Sequence, residues 1–168
     1  MDRSRARTLV VLPAVLVAAL AAGCDDDSVT GLTLRDLAGD WAASAFTFTS
    51  VADPSHQIDL IANLGGSMTL IMQNNGSFTG TVFLPDVTPI PLPIGGTVAL
   101  DAAAGTMAVS FDQQTLGYGL FDDFVAEFTL DETRRILTWS FGPTPFDFPQ
   151  NPEVGEEAAM ALVVLTRS

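Results

Sequence analysis

The fold is decided by the stretch MTLIMQNNGSFTGTVFL, residues 68–84, in which two alternating segments flank an Asn-Asn-Gly turn. Every second residue of each segment is apolar or small, which is the period of a strand with one buried face. Asn75-Gly76 tolerates the positive φ angles that a tight hairpin turn requires. The stretch therefore predicts a β-hairpin. Its inward face carries Met68, Leu70 and Met72 on the first strand and Phe78, Val82 and Leu84 on the second.

The same two-residue period recurs along the rest of the chain. The run at 158–165 is ambiguous, because its Ala, Met and Leu residues favour a helix. Its β-branched end favours a strand, which we therefore predict. The stretch 56–64 fits a helical turn and a strand equally well. Strands are predicted in the hairpin above and at 41–51, 94–100, 106–111, 124–130, 135–141 and 158–165.

Two proline-rich segments interrupt this pattern, at 85–93 and 142–155. Proline has no N–H to donate to a strand ladder, so it is confined to loops and sheet edges. We therefore expect 85–93 to be a loop or an edge segment.

Short strands joined by local hairpins are typical of an up-and-down barrel or a β-sandwich. We favour the barrel, because closure removes the exposed edges that a phenylalanine-rich sheet would otherwise present. The expected fold class is all-β, an eight-stranded antiparallel up-and-down meander that closes into a barrel and is preceded by a signal peptide. Such a barrel is filled by side chains or holds one small ligand.

The first residues have the character of an export signal. Three Arg precede an apolar run at 9–22, which is shorter than the roughly 20 residues of a membrane-spanning helix. Leu20-Ala21-Ala22-Gly23-Cys24 resembles the lipobox of bacterial lipoproteins, with Ala21 in the place where that family usually has Leu. The resemblance implies a signal peptide at 1–23 and an acylated Cys24 that anchors the protein in the cell envelope, outside the cytoplasm. The alternative is a free thiol near an ordinary cleavage site.

The charge of the mature chain excludes some partners. Beyond residue 23, four Arg stand against 19 Asp and Glu, and the chain has no Lys. Such an acidic protein repels nucleic acid and anionic lipid headgroups, so neither is expected as a partner. The acidic residues 25–27 begin a solvated tether, which we place at 24–31, ahead of a single domain at 32–168.

The start of this domain resembles that of the lipocalins. Gly39-Asp40-Trp41 is similar to their G-x-W signature, and the likeness extends over residues 32–168. It implies that Trp41 closes the floor of a lipocalin-like barrel and that Arg167 packs across its indole. It also implies an apolar ligand in the barrel, whose expected lining includes Phe46, Phe48 and Leu70.

No catalytic or metal site emerges from the remaining residues. His56 is the only histidine, and no serine lies in a Gly-x-Ser-x-Gly motif. Zinc would lack ligands, and the spaced acidic loop of a calcium site is missing. We therefore expect a non-enzymatic protein without a cofactor. The expected function is a membrane-anchored lipoprotein that binds a small apolar or amphipathic ligand. The alternative is a structural or protein-interaction lipoprotein with a filled barrel.

The lipobox yields a direct prediction. Cys24→Ser removes the acceptor of the acyl chains, and stable anchoring requires two or more chains. The variant should move from the membrane fraction to the soluble fraction, as immunoblots of fractionated cells would show. An unchanged membrane share would contradict lipidation of Cys24.

Overall fold

The computed structural model describes residues 31–85, 90–117, 121–148 and 155–168. Cys24 and the predicted signal peptide lie outside these residues. The described chain contains two one-turn helices and nine strands. In chain order they are α1 (Leu34–Leu37), β1 (Gly39–Ser50), β2 (Gln57–Asp59), β3 (Ser67–Met72), β4 (Ser77–Phe83), β5 (Leu92–Asp101), β6 (Thr106–Phe111), α2 (Gln113–Leu116), β7 (Phe124–Leu130), β8 (Ile136–Asp147) and β9 (Glu156–Arg167).

Eight of these strands form a closed antiparallel barrel. From β3 to β9 each strand pairs with the next along the chain. β9 then pairs with β1, and the first part of β1 pairs with β3, so the sheet has no free edge there. The short β2 pairs with the second half of β1, from Thr47 to Thr49. The predicted up-and-down barrel is confirmed.

The barrel interior follows the two-residue period of the sequence. In β3, buried Met68, Leu70 and Met72 alternate with exposed neighbours, as the hairpin pattern predicts. The predicted turn is present, because Gln73 N–H donates to the carbonyl of Ser77 at 2.8 Å. Alternate residues of all eight barrel strands thus converge on one hydrophobic core.

β5 begins at Leu92, inside the first proline-rich segment, and Pro93 lies opposite Thr81 of β4 with no partner on its other side, as expected for an edge segment. The hydrogen bonds of Gly95 explain why proline is tolerated. Gly95 N–H donates to the hydroxyl of Thr115, on the β6 side of the strand. The backbone nitrogen of Pro93, two residues earlier in the strand, points to the same side, and pairing with β6 has not begun there. The missing N–H therefore removes no ladder bond.

β8 extends beyond the strand predicted at 135–141 into the second proline-rich segment, because it continues to Asp147 and pairs with β9 as far as Asp147–Glu156. A bulge between Phe141 and Thr144 takes up Gly142-Pro143. Pairing with β7 ends at Ser140, so the rest of β8 has a partner on one side only. Both proline-bearing stretches thus lie where a barrel strand is locally an edge.

One end of the barrel, which we call the Trp41 end, is closed by α1. Trp41 is 1% exposed, and its indole N–H donates to the carbonyl of Leu37 at 2.8 Å. The Arg167 guanidinium lies 4.6 Å from the centre of the indole ring and donates to the carbonyl of Asp36. Gly39 has a φ of +142°, and a Cβ there would meet the Arg167 side chain at 3.4 Å. Trp41 and Arg167 thus have the placement that the lipocalin resemblance implies.

Carboxylates secure the turns at this end. The backbone N–H of Thr33 donates to Asp36, which holds the pKa of that carboxyl below its usual range, and Arg134 pairs with the same side chain. In the β7–β8 turn the Thr133 hydroxyl lowers the pKa of Asp131 to about 2. Both side chains are therefore ionised at neutral pH and able to hold their turns. No helix in the described part of the chain is long and apolar enough to cross a membrane.

The buried indole predicts the effect of its removal. Trp41→Ala should lower the free energy of unfolding by about 3–5 kcal/mol, because it leaves a cavity and an unpaired carbonyl at Leu37. Urea unfolding would measure this loss. Ile71→Ala is the control, since Ile71 is 53% exposed and should change stability little. Equal effects of the two substitutions would show that Trp41 does not close the barrel.

Candidate functional site

The middle of the barrel is almost filled. A void of about 20 Å³ remains at its centre, near the volume that one water-sized group occupies. Its described lining consists of side chains with apolar surfaces: Phe46, Met68, Leu70, Phe78, Ile94, Val109, Phe111, Phe121, Phe124, Trp139, Phe141 and Val163.

A much larger concavity opens at the end opposite Trp41. This concavity, which we call the cleft, has a volume of about 620 Å³. That volume lies within the range of small-molecule sites in proteins. The cleft is lined by Phe46, Phe48, Leu60, Leu84, Phe121, Asp122, Asp123, Phe124, Val125, Phe141, Gly142, Pro143, Thr144, Pro145, Phe146 and Glu156.

Unequal strand lengths produce the cleft. β7 begins at Phe124, whereas β8 extends well beyond its last pair with β7. The bulge in β8 depends on Gly142, whose φ of +131° suits glycine and whose missing Cβ would lie 2.8 Å from the Ala159 carbonyl. The lining of the cleft therefore combines the start of β7 with the unpaired part of β8.

Flat aromatic faces form the walls of the cleft. Phe48 stacks on Phe146 and Phe124 stacks on Phe141, each pair with ring centres 4.0 Å apart. Phe46 joins the first pair, 5.1 Å from Phe48. Offset stacking of this kind also accommodates an added aromatic ring. The walls are therefore suited to a planar apolar molecule.

Four of the phenylalanines line both the cleft and the central void, and we call them the partition. They are Phe46, Phe121, Phe124 and Phe141. Three of them lie in strands, whereas Phe121 precedes β7 and belongs to no strand. The Phe121 ring stacks on Phe111, with ring centres 5.2 Å apart.

Carboxylates lie at the rim of the cleft. Asp122, Asp123 and Glu156 belong to its lining, which contains no Arg or Lys among the described residues. One oxygen of Asp123 accepts a hydrogen bond from the backbone N–H of Phe111 at 2.8 Å. The rim is thus negatively charged, and it disfavours an anionic group at the entrance.

A turn after β2 positions Leu60 and Phe46. The Asp59 carboxylate accepts backbone hydrogen bonds from Ile61 at 2.8 Å and from Phe46 at 3.2 Å. Leu60 N–H donates to the carbonyl of Phe46 at 2.8 Å. The region 56–64, which the sequence left ambiguous, is therefore a short strand followed by a turn that an Asp side chain stabilises.

The structure places the residues expected to line the barrel on its inner side. Phe46 lines both cavities, Phe48 lines the cleft and Leu70 lines the central void. Contact with a ligand remains a prediction for all three. Cys24 lies outside the described residues.

Sequence reasoning missed much of the cleft wall. Phe146 lies beyond the strand predicted at 135–141, although Phe146 and Phe148 keep the two-residue period of a strand. Phe121 lies outside any strand, and no pattern in the sequence points to it.

His56 lies in a separate cluster, outside the lining of both cavities. Its Nδ1 is 3.6 Å from Glu157 and its Nε2 is 3.7 Å from Asp53. The Ser50 hydroxyl donates to Glu157 at 2.6 Å, so it is directed to a carboxylate. The Ser55 hydroxyl lowers the pKa of Asp53. Within the described residues, no group of three or more His, Cys, Asp or Glu side chains is arranged to hold a metal ion.

Comparisons with known proteins add little to this geometry. No family model matches the chain, and no curated protein matches it at a significant level. A solved structure titled "Structure of EF1p2_mFAP2b bound to DFHBI" is similar in part, with 14% sequence identity and a TM-score of 0.42. The match covers 80% of this chain and 95% of that one.

Proposed function

We propose that the protein is a membrane-anchored extracytoplasmic lipoprotein whose barrel binds one small apolar or amphipathic molecule in the cleft. The observation that carries the binding proposal is the cleft itself, about 620 Å³ in volume and walled by stacked phenylalanines. The anchoring proposal rests on the sequence around Cys24.

The walls provide the driving force for binding. Each Å² of apolar surface removed from water contributes about 25 cal/mol, part of which offsets the entropy lost on association. The stacked pairs Phe48–Phe146 and Phe124–Phe141 add the preference of aromatic faces for parallel rings. A molecule with a flat apolar body therefore fits the cleft better than a compact polar one.

The negative charge of the rim determines which polar groups the ligand can have at its outer end. Asp122 and Glu156 attract a cationic group and tolerate a neutral one, whereas an anionic group is repelled. The amphipathic ligands in this proposal are therefore neutral or cationic at their outer end.

One observation favours the second candidate, a structural or protein-interaction lipoprotein. The central void measures only about 20 Å³, so the deep part of the barrel is packed with side chains. In that case the cleft would be a surface depression without a ligand, and the protein would bind no small apolar probe.

Binding of N-phenyl-1-naphthylamine, a neutral probe whose fluorescence rises in apolar surroundings, tests the cleft. The full-length protein should bind about one equivalent. Phe146→Ala should weaken binding about fivefold, because Phe146 forms part of the stacked wall. The control is Ile71→Ala, which removes an apolar side chain that is 53% exposed and outside the cleft lining.

Saturable binding that Phe146→Ala weakens and Ile71→Ala leaves unchanged would support the cleft site. No binding to the wild type would favour the structural module. Equal effects of the two substitutions would place the probe elsewhere on the protein.

The charge of the rim predicts selectivity between two probes with one skeleton. 1-Anilinonaphthalene-8-sulfonate differs from N-phenyl-1-naphthylamine by one sulfonate, and we expect it to bind several-fold more weakly because the rim repels it. The double variant Asp122→Asn/Glu156→Gln should narrow this difference, and so should added salt. Glu132→Gln, in the β7–β8 turn at the Trp41 end, removes one charge and is the control for each of the two rim substitutions made singly. A difference that neither the rim variant nor salt alters would contradict the role of the rim.

A further inference from the structure

The charges of the barrel are divided unequally between its two ends. Every Arg beyond residue 23 lies at the Trp41 end: Arg35 in α1, Arg134 and Arg135 in the β7–β8 turn, and Arg167 over the indole. The described loops and strand ends around the cleft carry carboxylates and no Arg or Lys. These carboxylates include Asp53, Asp112, Asp122, Asp123, Asp147 and Glu156. The cleft therefore opens at the negative end of the molecule, where the potential attracts cations.

The carboxylates of the rim are not neutralised within the described part of the chain. None of the ion pairs there involves Asp122, Asp123 or Glu156. Asp123 uses one oxygen to accept the backbone N–H of Phe111, which leaves its charge in place. A cation that enters the cleft therefore does not compete with an Arg side chain for the rim.

The rings that wall the cleft stabilise a charge of the same sign. The face of an aromatic ring is electrostatically negative and attracts organic cations. The half-buried phenylalanines Phe121, Phe124, Phe141 and Phe146 line the same cleft as the rim carboxylates. Apolar contact, attraction to ring faces and attraction to carboxylates therefore act together on a ligand with a positive charge, whereas a neutral ligand has only the first.

The cation that suits this cavity is organic rather than metallic. Small metal ions require several ligand atoms at short distances. Among the residues that the structure describes, no group of three or more His, Cys, Asp or Glu side chains is arranged to hold one. An organic cation needs no such ligand set, because ring faces can bind it and its apolar body can fill part of the 620 Å³ volume.

We propose that the cleft selects organic cations, and that its ligand is a molecule with a planar apolar body and one positive charge. The body lies between the phenylalanine walls, and the charge lies beside the carboxylates of the rim. This ligand class rests on the proposed function and narrows it from neutral or cationic molecules to cationic ones. A neutral molecule of the same shape binds through apolar contact alone.

Two molecules that differ in one atom test the ligand class. Trimethyl(2-naphthyl)ammonium has a charged nitrogen where 2-tert-butylnaphthalene has a carbon, and displacement of N-phenyl-1-naphthylamine from the full-length protein measures both affinities. The ratio of the two affinities in wild type is compared with the ratio in Asp122→Asn/Glu156→Gln, so their unequal hydrophobicity cancels. Loss of the two charges should reduce the relative affinity for the cation about fivefold, as expected for two exposed ionic contacts.

Asp40→Asn/Glu132→Gln is the matched control, because it removes one Asp and one Glu charge at the Trp41 end. Asp40 and Ser50 are separated by about 30 Å along β1, well beyond the roughly 8 Å over which exposed charges act at physiological salt. This variant should leave the affinity ratio unchanged. An equal change in both double variants would show an effect of net charge alone and would overturn the proposal.

Two further outcomes separate this inference from the function on which it rests. If both molecules bind and the affinity ratio is the same in wild type and the rim variant, this inference is wrong while the proposed function stands. If neither molecule binds the wild type, both fail.

The contribution of the rings is measured with the same two molecules. Phe146→Leu keeps an apolar side chain in the wall but removes an aromatic face, so it should weaken binding of the cation about two- to fivefold more than binding of the hydrocarbon. Phe83→Leu is the control, since Phe83 lies on β4 outside the lining of both cavities. Equal losses for the two molecules in Phe146→Leu would contradict recognition of the charge by the rings.

Discussion

The pairing of β1 with β9 joins residues more than 100 positions apart, and the closed barrel depends on it. Nine residue pairs run from Trp41–Arg167 to Ser50–Ala159. The same register brings Arg167 over the indole at one end and places Phe46 beside Val163 near the centre. Without this pairing the meander would have two free edges, and its phenylalanines would face no common interior. Closure of the sheet thus creates both the floor and the cavity.

At the end opposite Trp41, parts of β5 and β8 have a paired strand on one side only, and the barrel is open there. Pairing of β5 with β6 starts only at Gly96, and pairing of β7 with β8 stops at Ser140. Three prolines lie in these stretches: Pro93 and Pro145 occupy paired strand positions next to a missing neighbour, and Pro143 lies in the bulge of β8. The one-sided part of β8 lines the cleft. In β8, proline and the opening in the barrel wall are therefore two results of one local geometry.

Local patterns in the sequence were sufficient to predict most of the strands but not to predict the site. The hairpin around Asn75-Gly76 and the strand 124–130 follow from alternation and turn chemistry, which act between near neighbours. The wall at Phe146 depends on a bulge at Gly142 and on where pairing with β7 ends, and both are set by distant pairing. The position of the partition residue Phe121 follows from three-dimensional packing, which no sequence period records.

The position of α1 has a consequence for how the molecule would sit on a bilayer. α1 closes the barrel at the Trp41 end, and only the nine residues 25–33 separate it from Cys24. At about 3.5 Å per residue, the ten steps from Cys24 to Leu34 reach about 35 Å at most. A protein held through Cys24 would therefore keep its sealed floor within about that distance of the lipid, however the rest of the barrel turned.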